Sequence, residues 1–310
     1  MIESGLLDRL TIGDHVCWVV DDDHVRIRTL AAYVRAGLRD HHKIIYCGDA
    51  PDAVLAGIDA LGVDTAAALA AGQLVAQPAA AAYVAGDAFD PAELLRGWRR
   101  TIDRARAEGY PGLRVLGDMT WASRAVPGTD RLPGYEAEIN RFFVDHDVIG
   151  VCAYDKRIFD PLLLRQITWS HTGTATTGAP FDPELSLRVR RTRDPLGVRL
   201  EGEADLSNRN ALRAVFTYLF EDAGASREAF LGEALSGEPT AFPGEIGEMA
   251  EVTVDVGGLR FADRAAARIL VQAAGSGRRV RLTHCSPALV RLLDFNGAAA
   301  VADLTVQAEE

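Results

Sequence analysis

The chain has 310 residues, 48% of them hydrophobic and 25% charged, with a formal net charge of −11. That length suits two ordinary domains, and the balance is that of a folded globular protein rather than a disordered one. The acidic excess works against a nucleic-acid footprint, which needs clustered Lys and Arg, and no stretch reaches the roughly 18–20 apolar residues of a membrane span.

Four cysteines without paired spacing suit a reducing compartment, and MIESGLLDRL lacks the apolar core of a signal peptide, so a cytoplasmic protein is expected. In chain order, DHVCWVV (14–20) predicts a short buried strand and HVRIRTLAAYVRAGLRDH (24–41) a helix with one apolar face. KIIYCGD (43–49) predicts a second strand, PDAVLAGIDALG (51–62) a helix closed by Gly62, and QLVAQP (73–78) a third strand. The helix PAELLRGWRRTIDRARAEG (91–109) opens on Asp90 as cap and Pro91 in its first turn. LRVLGDM (113–119), the helix YEAEINRFFVDH (135–146) and the strand VIGVCAYD (148–155) follow. Apolar strands alternating with helices predict a doubly wound α/β domain over 1–175, its mostly parallel sheet covered on both faces.

HTGTATTGAPFDPE (171–184), rich in Thr, Gly and Pro, reads as an interdomain linker with its core at 176–184. Beyond it, LSLRVRRT (185–192) and GVRLEGEAD (197–205) predict an antiparallel pair, followed by a helix over 206–220. The strand VTVDV (252–256), a helix over 263–274, the strand RVRLTHC (279–285) and the helix PALVRLLDF (287–295) complete a small α/β domain over 185–310. An acidic, Gly-rich insertion at 221–248 reads as a loop or lid.

The segments GEADLSN (202–208), DVGGLRFAD (255–263) and RVRLTHCSPALVRLLDFNG (279–297) resemble the STAS domain of bacterial anti-sigma-factor antagonists. The resemblance implies a binding module whose Asp-led helix docks on an anti-sigma factor that is also a serine kinase, with Asp205, Asp263, Arg264 and Ala265 as docking candidates. In that family a Ser or Thr just after the Asp is phosphorylated to release the partner. Here those positions are Arg264 and Ala265, neither with a hydroxyl, so the switch is expected to be missing.

The segments GDHVCWVVDDDHVRIRTLAAYVRAGLRDHHKIIYCGD (13–49), LRVLGDMTWA (113–122) and GVCAYDKRIFDPLLL (150–164) resemble the MEDS sensory domain of methanogen and methylotroph regulators. That family is itself similar to the RecA-like and circadian-clock ATPases. A P-loop would need Gly, Lys and Ser/Thr after the first strand. VVDDDHVRIR has none of these and offers three carboxylates, so a RecA-like domain without ATPase activity is expected.

Ligands of open parallel sheets bind beyond the C-terminal strand ends. Trp18, Asp21, Cys47, Asp49, Asp118, Trp121, Cys152 and Tyr154 fall there and could line a pocket for a small apolar ligand, or the Trp side chains could simply fill the core. Cys17, Cys47 and Cys152, with His15 and His171 as neighbours, could form a thiol sensor or zinc site only if they converge, and no C-x-x-C spacing says so. No nucleophile–base pair stands at a motif-like spacing. The expectation is therefore a non-enzymatic sensory regulator with no catalytic residue, cofactor or metal assigned, no nucleic-acid or membrane partner, and oligomerisation left open. A scaffolding STAS-like protein, or an enzyme or thiol sensor using the N-terminal crevice, are the rivals.

Overall fold

A computed structural model describes residues 7–84, 86–176, 186–217, 251–274 and 279–309. The chain divides into two compact units, Met1–Arg188 and Val189–Glu310.

The first unit holds a six-stranded parallel sheet in the order β3-β2-β4-β5-β1-β6. Its strands are β1 (His15–Val20), β2 (Lys43–Cys47), β3 (Leu74–Gln77), β4 (Leu113–Asp118), β5 (Val148–Asp155) and β6 (Gly173–Thr176). The helices are α1 (Asp23–Arg39), α2 (Pro51–Asp59), α3 (Thr65–Ala70), α4 (Ala79–Tyr83), α5 (Pro91–Ala107), α6 (Leu132–Asp145) and α7 (Pro161–Thr168). Side chains of α1, α2 and α3 pack with Val16, Trp18 and Val20 of β1 on one face of the sheet. Those of α4 to α7 pack with Cys17 and Val19 on the other. Alternate residues of one strand thus serve two separate cores, which is why the central strands are largely apolar. This is the doubly wound α/β class expected.

Local signals explain the helices. Asp90 accepts hydrogen bonds from the backbone N–H groups of Ala92 and Glu93 and so caps α5, with Pro91 in the first turn. Leu94, Trp98, Ile102 and Ala105 then recur at helical spacing and are the buried residues of that helix.

One expectation needs correction. The run from His171 does not begin a linker: His171 and Thr172 are buried, and Gly173–Thr176 is the edge strand β6, parallel to β1. Thr172 Oγ1 also donates to the carbonyl of His15 at 2.9 Å. The expected linker from 177 to 184 and the insertion at 221–248 lie outside the described residues.

The second unit carries a five-stranded sheet in the order β11-β10-β9-β8-β7. Its elements are β7 (Leu187–Arg193), β8 (Leu196–Ala204), a helix α8 over 209–217, β9 (Val252–Ala262), α9 (Arg264–Ala274), β10 (Val280–Cys285), α10 (Pro287–Phe295) and β11 (Leu304–Ala308). β8, β9, β10 and β11 run parallel, and a two-residue turn joins β7 to β8 as a hairpin. The sheet is mixed. β9 runs on to Ala262, past the 252–256 assigned to this strand from the sequence. A Cβ on Gly258 would stand 2.7 Å from Glu201 Cγ and 2.8 Å from the Leu200 carbonyl, so the glycine permits close approach of β8 at a register shift.

Candidate functional site

Ion pairs gather at the strand ends of the first unit. Asp22 caps α1 through the Val25 N–H, Asp21 pairs with Lys156, and Asp23 with Arg157. Asp118, at the end of β4, takes Arg26 of α1 at 2.7 Å and the Thr120 hydroxyl at 2.5 Å, and Asp49 pairs with Arg124. The acidic turn after β1 therefore places carboxylates and their counter-ions where a P-loop would present backbone N–H groups.

The two tryptophans, read from the sequence either as pocket linings or as core, are both buried core residues. Trp18 packs among α1 and α2 residues on one face of the sheet, and Trp121 on the other, stacked on Tyr83 with centroids 5.4 Å apart. Strand alternation sets the face of Trp18 in β1, whereas Trp121 lies on the 3-10 turn Met119–Ser123 that follows β4. Cys47 is fully buried, and burial pushes its thiol up to about 12.

Cys152 and Tyr154 do belong to a site, but it lies on the sheet face under α6, not beyond the strand ends. His15 of β1 and Cys152 of β5 project to that face, Glu136 reaches it from α6, and His171 from the turn between α7 and β6. His15 Nε2 and His171 Nε2 each lie 3.4 Å from the same Glu136 Oε2. Cys152 Sγ lies 3.4 Å from His15 Nε2 and 3.6 Å from Glu136 Oε2. The Tyr154 hydroxyl donates to the other carboxylate oxygen. Phe143 stacks on His15 with centroids 4.5 Å apart, and Gly150 opposite makes room, since a Cβ there would meet the Phe143 ring at 2.3 Å.

His15, Glu136 and His171 are all but inaccessible to solvent. Burial, reinforced by the neighbouring His15, depresses His171 to about 3, so it stays a neutral imidazole with a lone pair on one nitrogen. Burial and the Glu136 carboxylate push the Cys152 thiol well above its ordinary range. Two imidazoles, a carboxylate and a sulfur, with ligating atoms all within 4.8 Å of one another, form a donor set that could hold a metal ion. Cys17, Cys47 and Cys285 are not part of it. Beside Cys152 a cavity of ≈ 20 Å³, with room for about one water-sized body, is lined by Tyr83, Trp98, Tyr135 and Phe143 among others.

Sequence reasoning had His15, Cys152 and His171 in view without a reason to join them, and missed Glu136. A signal existed. Leu132, Glu136, Ile139, Asn140 and Phe143 follow the helical repeat of α6, and all five are buried. A carboxylate on that stripe needs polar partners inside.

The profile of the MEDS family, the MEthanogen/methylotroph, DcmR Sensory domain, matches residues 14–172, just over half of the chain. The chain belongs to the MEDS family. All four residues of the buried cluster fall inside the matched span. No curated protein matches this MEDS chain. Among solved structures, a KaiC-like protein from Pyrococcus horikoshii is similar at 12% identity and a TM-score of 0.41, covering 64% of this chain and 86% of that one. The flagellar accessory protein FlaH from Methanocaldococcus jannaschii is similar at 11% identity and a TM-score of 0.40, covering 62% and 80%.

Outside the MEDS span, the corner at Asp263 forms as the sequence indicates. Asp263 Oδ1 accepts from the Ala266 N–H at 2.8 Å and caps α9. The Asp263 N–H bonds the Ala204 carbonyl, which sets Asp263 beside the turn at Asp205, where that carboxylate takes the N–H and hydroxyl of Ser207. Arg264 is exposed and its guanidinium lies over the Phe295 ring, 4.8 Å from the centroid. A concavity here is lined by Arg209, Arg213, Arg264, Ala265 and Arg268. Phe261 and Phe295 are 52% and 69% exposed, unusual for Phe in a folded chain. Among the described residues no helix is long and apolar enough to cross a membrane.

Proposed function

We propose that this MEDS protein is a two-domain signalling regulator. Its first domain receives a small apolar ligand, and its C-terminal domain is a STAS-type output module that docks an anti-sigma factor of the serine-kinase class. The observation that carries the proposal is the exposed Arg264 lying over the exposed Phe295 at the start of α9, with Arg268 one turn on. Arginine and aromatic side chains dominate the energetics of protein interfaces. Four arginines around one concavity stand against a net charge of −11, so the complementary partner surface is acidic.

A helix N-terminus ordinarily disfavours a cation by about 0.3–1 kcal/mol. A docking role for Arg264 offsets that cost. With Arg264 and Ala265 in place of a hydroxyl, docking escapes phosphorylation there, and control passes to the sensory domain. The apolar cavity beside Cys152 has room for about one water-sized body, so a ligand there would have to displace the aromatic side chains that line it. The carboxylates after β1 disfavour a nucleotide triphosphate, and the protein is proposed not to be an enzyme.

A pull-down from the native cell tests the docking. Retention of a kinase-type anti-sigma factor by the parent protein, and its loss from Arg264→Glu, is the expected result. Retention of further copies of this chain alone would favour a scaffolding role instead.

A further inference from the structure

The orientation of both imidazoles in the buried cluster follows from their outer contacts. The Asn140 amide nitrogen donates to the carbonyls of Glu136, Ala137 and Ser170, at 2.8, 3.0 and 2.7 Å. Its oxygen is therefore the end that faces His15 Nδ1, at 3.1 Å, and it can only accept. His15 must carry its proton on Nδ1. His171 Nδ1 faces the Ile167 carbonyl at 2.9 Å, another pure acceptor, so it too carries its proton there. With each ring in its neutral form, both Nε2 lone pairs point at one oxygen of a carboxylate. His171 Nε2, buried, makes no hydrogen bond among the described residues.

Lone pairs gathered around a carboxylate oxygen in a dry interior repel unless a cation lies between them. A tetrahedral ion with nitrogen, oxygen and sulfur ligands at 2.0–2.3 Å has ligand–ligand edges of roughly 3.3–3.8 Å. Four of the six separations here are 3.4, 3.4, 3.4 and 3.6 Å, and all six lie within 4.8 Å. The outer bonds from Nδ1 to a side-chain amide oxygen and a backbone carbonyl match the second shell that orients histidine ligands in metal sites.

We propose that His15 Nε2, His171 Nε2, Cys152 Sγ and Glu136 Oε2 bind one divalent transition-metal ion of the zinc class. Mixed imidazole, thiolate and carboxylate donors select such an ion over magnesium or calcium, which take oxygen ligands. Binding forms a bond from the Cys152 sulfur to the metal and releases the thiol proton to solvent. The ion joins β1, β5, α6 and the turn before β6, four elements distant in sequence, and it borders the apolar cavity through Cys152. The site is independent of C-terminal docking: either can fail while the other holds.

The test uses the full chain, stripped with chelator and reloaded with Zn²⁺ or Co²⁺. One tightly held equivalent per chain is expected. The Co²⁺ form should show a thiolate-to-metal charge-transfer band with the intense visible bands of a tetrahedral site. Cys152→Ser should abolish the charge-transfer band and lower zinc affinity by at least the 10–100-fold of an outer-shell change. The Co²⁺ spectrum of the unmutated chain needs no variant to fold. A folded chain that takes up no ion, that binds cobalt without a thiolate band, or whose band survives Cys152→Ser would overturn the assignment. In the first case, protons shared among Cys152, Glu136 and the histidines bridge the same atoms.

Discussion

His15 and Asn140 meet at 3.1 Å, ring Nδ1 to amide oxygen, and that contact fixes which nitrogen of His15 faces the buried cluster. Asn140 thus acts through His15 as a positioning residue. Asn140→Leu keeps the volume of the side chain but takes away the amide partner of the His15 N–H and of the Ser170 carbonyl. A loss of about 1–3 kcal/mol is expected for leaving such a buried group unsatisfied, read by urea denaturation of the full chain. Zinc affinity should fall by about 10–100-fold in a competition titration. A variant that loses stability with unchanged zinc affinity would make Asn140 purely structural.

Thiol chemistry tests the burial of Cys47. Burial raises Cys47 to about 12, against an ordinary value of 9.0, so almost no thiolate exists near neutral pH. Alkylation of Cys47 in the native state should proceed only through unfolding. The raised pKa belongs to a group kept neutral by folding, so its stabilising effect is complete below pH 9 and is lost as pH rises from 9 to 12. Cys47→Ala should flatten that part of the stability–pH curve. Rapid native-state labelling of Cys47 at neutral pH would contradict its burial and revive a role for it as a redox sensor.

Much of the fold was legible because the strands are short apolar runs and the helices begin at recognisable caps, as at Asp90 and Asp263. The misread segment is instructive. HTGTAT has the composition of a loop, yet Gly173–Thr176 pairs with β1, because an edge strand gains backbone hydrogen bonds whatever its side chains. The site was harder to see. His15, Glu136, Cys152 and His171 span more than 150 positions of sequence, and only the β3-β2-β4-β5-β1-β6 order brings β1, β5 and β6 together. Trp18 and Trp121 looked alike as aromatics near strand ends, but they sit on opposite faces of the sheet. No inspection of either residue alone separates them.

The crevice at the strand ends should not take nucleotide. Asp21, Asp23 and Asp118 already hold Lys156, Arg157 and Arg26, and a triphosphate would have to displace those cations while facing the carboxylates. Calorimetry with Mg-ATP at millimolar concentration should show no saturable heat. Micromolar binding with turnover would promote the chain to an enzyme.

Phosphorylation control is the point on which the proposed output module departs from the family it resembles. Without a hydroxyl at Arg264 or Ala265, incubation with the partner kinase and ATP should add no phosphate mass at this corner.

The most direct measurement is the affinity of the purified full chain for a kinase-type anti-sigma factor, taken by calorimetry for the parent and for Arg264→Glu, each with and without ATP. A carboxylate in the first turn of α9 is compatible with the helix dipole, so the variant should fold as the parent does. The docking account predicts binding by the parent that ATP leaves unchanged, and binding by Arg264→Glu weakened by roughly tenfold or more, the loss of about 1.4 kcal/mol or more at an interface anchor. Equal affinity of the folded variant and the parent, or release of the partner on adding ATP, would contradict it.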